Sequence, residues 1–228
     1  RSPILRSRLP SARGLRRQTG EIPAHVASVV RRGFCARCLN SSNWLAFNLT
    51  VLNVTFMWTE RRLPRLGKSH YLGPAYVFWT HVVKDRATGW LDDPFHAHFR
   101  EVLLHAMSRY QIACPTYVLM PDHIHLIWIG SQQSSNQLLA NRLLRTHLQL
   151  PLQKQAYDHV IQQDERTGSL FADTCNYVRN NPVRANLVET IEEWSFQGTM
   201  VPGYPSLYHV DSSVFWKCFH AYQRVGQS

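Results

Sequence analysis

Two short stretches hold the residue types that could do chemistry. In "MPDHIHLIWIG", residues 120–130, two histidines stand one residue apart in an otherwise apolar run. Successive side chains of an extended strand face opposite sides, so His123 and His125 project together while Ile124 and Leu126 point away. Two imidazoles on one face of an apolar strand need a shared polar partner, and a divalent cation is the economical one. The H-x-H pattern also occurs in zinc hydrolases, although the β-lactamase-fold enzymes need a longer H-x-H-x-D-H run and here Leu126, Ile127 and Trp128 follow. In the second stretch, "CNYVRNNPVRANLV" (175–188), a helix over 165–180 would set Tyr177 one turn before Asn181 on the same face, a phenol beside an amide oxygen. Pro182 disfavours α geometry at Asn181 and so marks a helix end there. Taken alone, that pair also reads as a surface tyrosine and a capping asparagine.

The elements that must position these residues follow from periodicity and turn chemistry. "AYVFWTHVV" (75–83) is β-branched and aromatic and reads as a strand, and "PFHAHFREVLLHAMSRYQ" (94–111) has helical apolar spacing. "CPTYVLM" (114–120) and "HIHLIWIG" (123–130) are strands joined by Pro121 and Asp122, a link short enough to make them antiparallel neighbours. "NQLLANRLLRTHLQL" (136–150) reads as a helix, "QAYDHVI" (155–161) as a strand, and Asp164 as the cap of a helix running towards Asn180. Strand, helix, strand, strand, helix, strand, helix predicts an α+β protein, an antiparallel sheet covered by helices.

Charge divides the chain. The formal net charge is +10, but residues 1–56 carry nine Arg against one Glu, whereas residues 57–228 carry 16 Lys+Arg against 14 Asp+Glu. The body is close to neutral, so overall basicity does not itself indicate nucleic-acid binding. Residues 1–56 are expected to be disordered, or upstream sequence ahead of a start at Met57, and residues 57–228 to form the functional domain. Five scattered cysteines do not resemble a disulfide framework, and Cys35 and Cys38 form an isolated C-x-x-C. The apolar stretch at 44–58 is shorter than the ~20 residues needed to span a bilayer, so no membrane partner is expected.

The motifs "MPDHIHLIW", "QAYDHVI", "YVRNNPVRANLV" and the tail "VPGYPSLYHVDSSVFWKCFHAY" together resemble the REP-associated tyrosine transposases, a branch of the single-tyrosine HUH nucleases, over roughly residues 60–222. The resemblance implies a ferredoxin-like HUH fold, Mg²⁺ or Mn²⁺ on His123, His125 and Asn181, and Tyr177 as the nucleophile. It also implies a cytoplasmic, nucleoid-associated bacterial protein, monomeric or homodimeric, acting on single-stranded or hairpin DNA of palindromic repeats. A tyrosine nucleophile conserves the energy of the broken phosphodiester in a phosphotyrosine that a 3′-hydroxyl can later reverse. A domesticated, catalytically silent hairpin-binding protein is the alternative. The family usually has Gly where this chain has Asn186, the next most tolerant residue for a left-handed turn. Candidate DNA contacts are Arg61, Arg62, Arg65, Arg179 and Arg184, with Lys84 and Arg86 nearby. Trp58, Tyr71 and Trp90 are candidate stacking platforms for unpaired bases. Asp158 and His159 are expected to orient neighbouring groups.

Overall fold

The computed structural model describes residues 65–166, 169–204 and 212–225. Arg61, Arg62, Trp58 and the Cys35–Cys38 pair lie outside these residues, as does the whole of 1–56. The elements are β1 (Tyr76–Val82), α1 (Asp93–Tyr110), β2 (Ile112–Met120), β3 (His123–Gly130), α2 (Gln137–His147), β4 (Tyr157–Val160), α3 (Leu170–Arg179), α4 (Asn181–Arg184), β5 (Gln197–Met200) and α5 (Ser212–Val225). The strands form one antiparallel sheet in the order β4-β1-β3-β2-β5. Its first six elements are the β-α-β-β-α-β order of a ferredoxin-like domain, with β5 added at the far edge.

Local chemistry sets the helix boundaries. Asp92 caps α1 by accepting a bond from the Phe95 amide at 2.8 Å, Pro94 occupies the first turn, and Gln111 ends the helix in the left-handed region at φ 56°. Asn136 caps α2 in the same way, accepting from the Leu139 amide at 3.1 Å. Gln137, fully buried, accepts from Trp79 Nε1 at 3.1 Å and donates to the Ala75 carbonyl at 2.7 Å, pinning α2 to β1.

Strand alternation sorts the sheet into two faces. Val77, Trp79, Ile124, Leu126, Trp128, Tyr117 and Leu119 pack under α1 and α2 as the larger core. Phe78, Val118, Met120, Ile127 and Ile129 face the other way, beneath Phe171 and Val178 of α3 and Phe215 and Phe219 of α5. His123 and His125 belong to this second face. Pairing Thr80 with His125 and Val82 with His123 fixes them there, because a one-residue slip would turn both imidazoles into the α1/α2 core.

The fold departs from the sequence reading in three places. Asp164 caps no α-helix: it opens a 3₁₀ turn, Asp164–Arg166, and α3 begins only at Leu170. Helical geometry does not stop at Pro182, since α3 ends on Asn180 and Asn181 starts the next short turn with Pro182 inside it. Proline is tolerated there because a first-turn N–H has no intrahelical acceptor in any case. Strand β5, "QGTM", lacks the β-branched alternation of a half-buried strand. It is placed by Gly198, where a Cβ would stand 2.7 Å from the Tyr117 hydroxyl oxygen. That hydroxyl accepts from Arg100 Nη1 at 2.7 Å and lies 3.0 Å from His96 Nε2, so the glycine makes room for a buried polar cluster joining α1, β2 and β5.

Candidate active site

The two imidazoles of β3 converge. His123 Nε2 lies 3.0 Å from His125 Nε2, and the ring planes are nearly perpendicular at 80°. Each ring is held from behind through its other nitrogen. His123 Nδ1 donates to Asp122 Oδ1 at 2.5 Å, and the second Asp122 oxygen accepts from Arg86 Nη1 at 2.6 Å. Burial alone would raise the Asp122 carboxyl, but the hydrogen bonds from His123 and Arg86 outweigh it and hold the group well below the usual carboxylate range. An ionised carboxylate can only accept, so a proton is on His123 Nδ1, which leaves Nε2 as the nitrogen turned to the site. His125 Nδ1 is 2.9 Å from Thr80 Oγ1, a hydroxyl able to donate or accept. Burial, then the charges at His123 and Arg184, keep His125 well below the ordinary imidazole value and therefore neutral.

This donor geometry fits a divalent cation. Metal-binding imidazoles characteristically give their second N–H to a carboxylate, carbonyl or hydroxyl, which fixes the tautomer and aims the remaining lone pair. Here the nitrogens left over on both rings are Nε2, and they meet within hydrogen-bond distance of each other, so a cation there would take the place of a shared proton. Among the described residues no group of three or more His, Cys, Asp and Glu stands where it could hold a metal. A third protein ligand would therefore be an oxygen from outside that set, such as an amide.

α3 lies over this face, buried along Phe171, Thr174 and Val178. Tyr177 borders that stripe and is half-buried, and the Arg184 guanidinium covers its ring at 4.0 Å from the centroid. Arg184 thus links the two stretches, covering Tyr177 while its charge reaches His125. Asn181 donates through Nδ2 to the Val178 carbonyl at 2.8 Å and more weakly to the Tyr177 carbonyl at 3.5 Å, so both recorded bonds use its nitrogen and leave the amide oxygen over. The turn that follows closes on Asn186 at φ 55°. Its amide bonds the Val183 carbonyl and the Leu187 amide reaches Pro182, both at 3.0 Å. That is a left-handed helix stop with asparagine in the usual glycine position, as the sequence leads one to expect.

Other candidate residues fall elsewhere. Arg65 is on the opposite face, bonded to Asp158 Oδ1 at 2.7 Å and to the Ala156 carbonyl at 3.0 Å. Asp158 also accepts from the Tyr71 hydroxyl, so it orients groups on the α1/α2 side. Tyr71 is 1% exposed and packed on Trp79, which removes it as a stacking platform for bases. Trp90 is edge-packed on Phe95 and donates to the Ala87 carbonyl. His159 faces the histidine side, 3.4 Å from Glu165 Oε2. The sequence reading missed Asp122 and Thr80 as supports. In the sequence Asp122 reads as a turn residue, although it directly precedes the H-x-H. Thr80 could have been found as the one aliphatic hydroxyl in "AYVFWTHVV", in register with His125.

The five-stranded antiparallel sheet with helices on both faces is the α+β fold of a REP-associated tyrosine transposase. A solved structure of such a transposase bound to a REP hairpin superposes with a TM-score of 0.50 at 18% identity, over 60% of this chain and 81% of that one. In sequence the chain is similar to a Haemophilus influenzae protein named "Putative REP-associated tyrosine transposase", 24% identical over 139 residues that cover 52% of this chain and 76% of that protein. No family model matches the chain. No described helix is long and apolar enough to cross a membrane.

Proposed function

We propose that the protein is a metal-dependent DNA strand-cleaving and strand-joining enzyme that acts on single-stranded or hairpin DNA through a Tyr177 phosphotyrosine. The observation that carries this reading is the convergence of two backed imidazoles on the sheet face beneath the helix that bears Tyr177. His123 and His125 would hold Mg²⁺ or Mn²⁺, with the Asn181 amide oxygen as third ligand. When bound, the ion would supply Lewis-acid polarisation of the scissile phosphate and stabilisation of the leaving oxygen. Tyr177 Oη forms the new bond to phosphorus as the P–O3′ bond breaks, and the proton lost by the phenol is balanced by the proton gained at the freed 3′ oxygen. Reversal by a 3′-hydroxyl then joins strands. Arg184 sits over the phenol ring, where its charge favours the developing phenolate and the bound phosphate. Arg179, one turn beyond Cys175 on α3, is a further candidate phosphate contact.

The likeness to a transposase bound to a REP hairpin supports hairpin DNA as the substrate class. Incubation of the full chain with hairpin DNA and Mn²⁺, read on a denaturing gel, tests the reading. A denaturant-resistant protein–DNA adduct is expected. Hairpin binding without adduct or cleavage would instead make the protein a catalytically silent binder, and cleavage without adduct would make it a hydrolase.

A further inference from the structure

On the side of the sheet opposite the histidines, α2 and the chain entering β4 enclose an open cleft of about 460 Å³. Among the described residues Arg65, Arg142, Arg145 and Lys154 line it, and no Asp or Glu does. Arg65 is neutralised by Asp158 at 2.7 Å. Among the described residues Arg145 meets only neutral acceptors, His81 Nδ1 at 3.2 Å and the carbonyls of Gln153 and Lys154, which hold the guanidinium in place without cancelling its charge. Arg142 is exposed and has no partner among the described residues. Asn141, also lining the cleft, is 6% exposed, and its Nδ2 donor has no acceptor among the described residues. Burial and the neighbouring Arg65 both weaken the hold of Arg145 on its proton, which shows like charges kept close together.

A solvated basic surface would explain Arg142 or Lys154 singly. It does not explain a fixed, part-buried arginine that meets only neutral acceptors among the described residues, beside an orphaned amide donor. Such a site suits an anion with several oxygen acceptors. We propose that this cleft holds a backbone phosphate of the DNA, a docking subsite separate from the phosphate being cut. The proposal rests on the DNA-processing reading above. β4 is the outer strand of the sheet, and Thr80 of β1 pairs with both His125 of β3 and Tyr157 of β4. The backbone of Tyr157, where the cleft-lining chain enters β4, is thus about 10 Å from that of His125, two strand spacings, so DNA rounding the β4 edge would have a path from the cleft to the histidine face.

Fluorescence anisotropy of labelled hairpin DNA with the full chain, without divalent metal and over a series of salt concentrations, tests the proposal. Arg142→Ala and Lys154→Ala are each expected to weaken binding several-fold and to lower the salt slope by about 1, equally for hairpins of different sequence. Arg142→Glu should lose more, with the thermal unfolding midpoint of each variant unchanged. Wild-type binding matched by Arg142→Glu in affinity and slope would overturn the subsite and leave the DNA reading intact. If the wild type binds no hairpin, the DNA reading fails and the subsite with it. Thermal protection by inorganic phosphate, absent in Arg142→Glu, would then assign the cleft to free phosphate instead.

Discussion

His81 and His125 occupy neighbouring strands, are 0% and 1% exposed, and are both kept neutral, first of all by burial. They nevertheless stand on opposite faces of one sheet and have opposite prospects. His81 turns into the α1/α2 core, where Arg145 donates to its Nδ1. A ring whose acceptor nitrogen already faces a guanidinium repels a cation. His125 turns towards α3, is backed by Thr80 at Nδ1, and presents Nε2 to a second imidazole at 3.0 Å. Burial and neutrality are common to both. What separates a packed histidine from a candidate ligand is which nitrogen is left and what it meets.

The strongest way to break this contrast is to make the same substitution on both faces. His125→Ala, or His123→Ala, is expected to lower strand cleavage by roughly 10²–10³-fold with hairpin binding largely retained, because transition-state charge loses its support while phosphate contacts remain. His81→Ala should leave cleavage by the folded protein within a few-fold, and cost about 2–4 kcal/mol of stability through the cavity and the lost acceptor for Arg145. Cleavage rates paired with urea unfolding measure both. Equal loss of cleavage in the two variants would remove the distinction.

A finer test acts on the supports. Asp122→Asn and Thr80→Val should each reduce apparent metal affinity by about 10–100-fold, visible as cleavage that recovers when Mn²⁺ is raised. Asn181→Ala is expected to behave likewise, forming a residual adduct that responds to Mn²⁺, since the nucleophile survives the change. Indifference to Mn²⁺ concentration in all three would show that the supports act only on folding.

The smallest effect concerns the closed face and pH. Burial, then nearby arginine charge, depresses His81 to about 3 and His96 to about 4. Between roughly pH 6.5 and those values the unfolded chain binds protons that the folded chain refuses, so stability falls as pH falls through this window. The loss is up to about 1.4 kcal/mol per pH unit for each histidine. Urea midpoints measured from pH 7 to pH 5 check the direction, and His96→Gln should flatten the slope.

Much of this contrast was legible in the sequence. Strand alternation places His123 with His125 and away from Ile124, and the short Pro121–Asp122 link makes β2 and β3 neighbours, because both follow from local backbone geometry. The supports were harder to see. Asp122 acts through a hydrogen bond to the next residue, but its second partner, Arg86, is 36 positions away. Thr80 meets His125 across 45 positions, a pairing that only the β1–β3 register sets. Asp158 lies on the opposite face from His159 for the same reason that the histidines share one. β5 escaped notice because its site is defined by the Tyr117 hydroxyl it must accommodate, not by its own pattern.

The most direct measurement of the central claim is to digest the adduct formed with hairpin DNA and Mn²⁺ and to find the modified peptide by mass spectrometry. The nucleotide should be on Tyr177, and Tyr177→Phe should yield neither adduct nor cleavage while still binding hairpin. An adduct on another tyrosine, with Tyr157 of β4 the nearest in sequence, or an adduct that persists in Tyr177→Phe, would contradict the assignment of α3 as the helix that delivers the nucleophile to the histidine face.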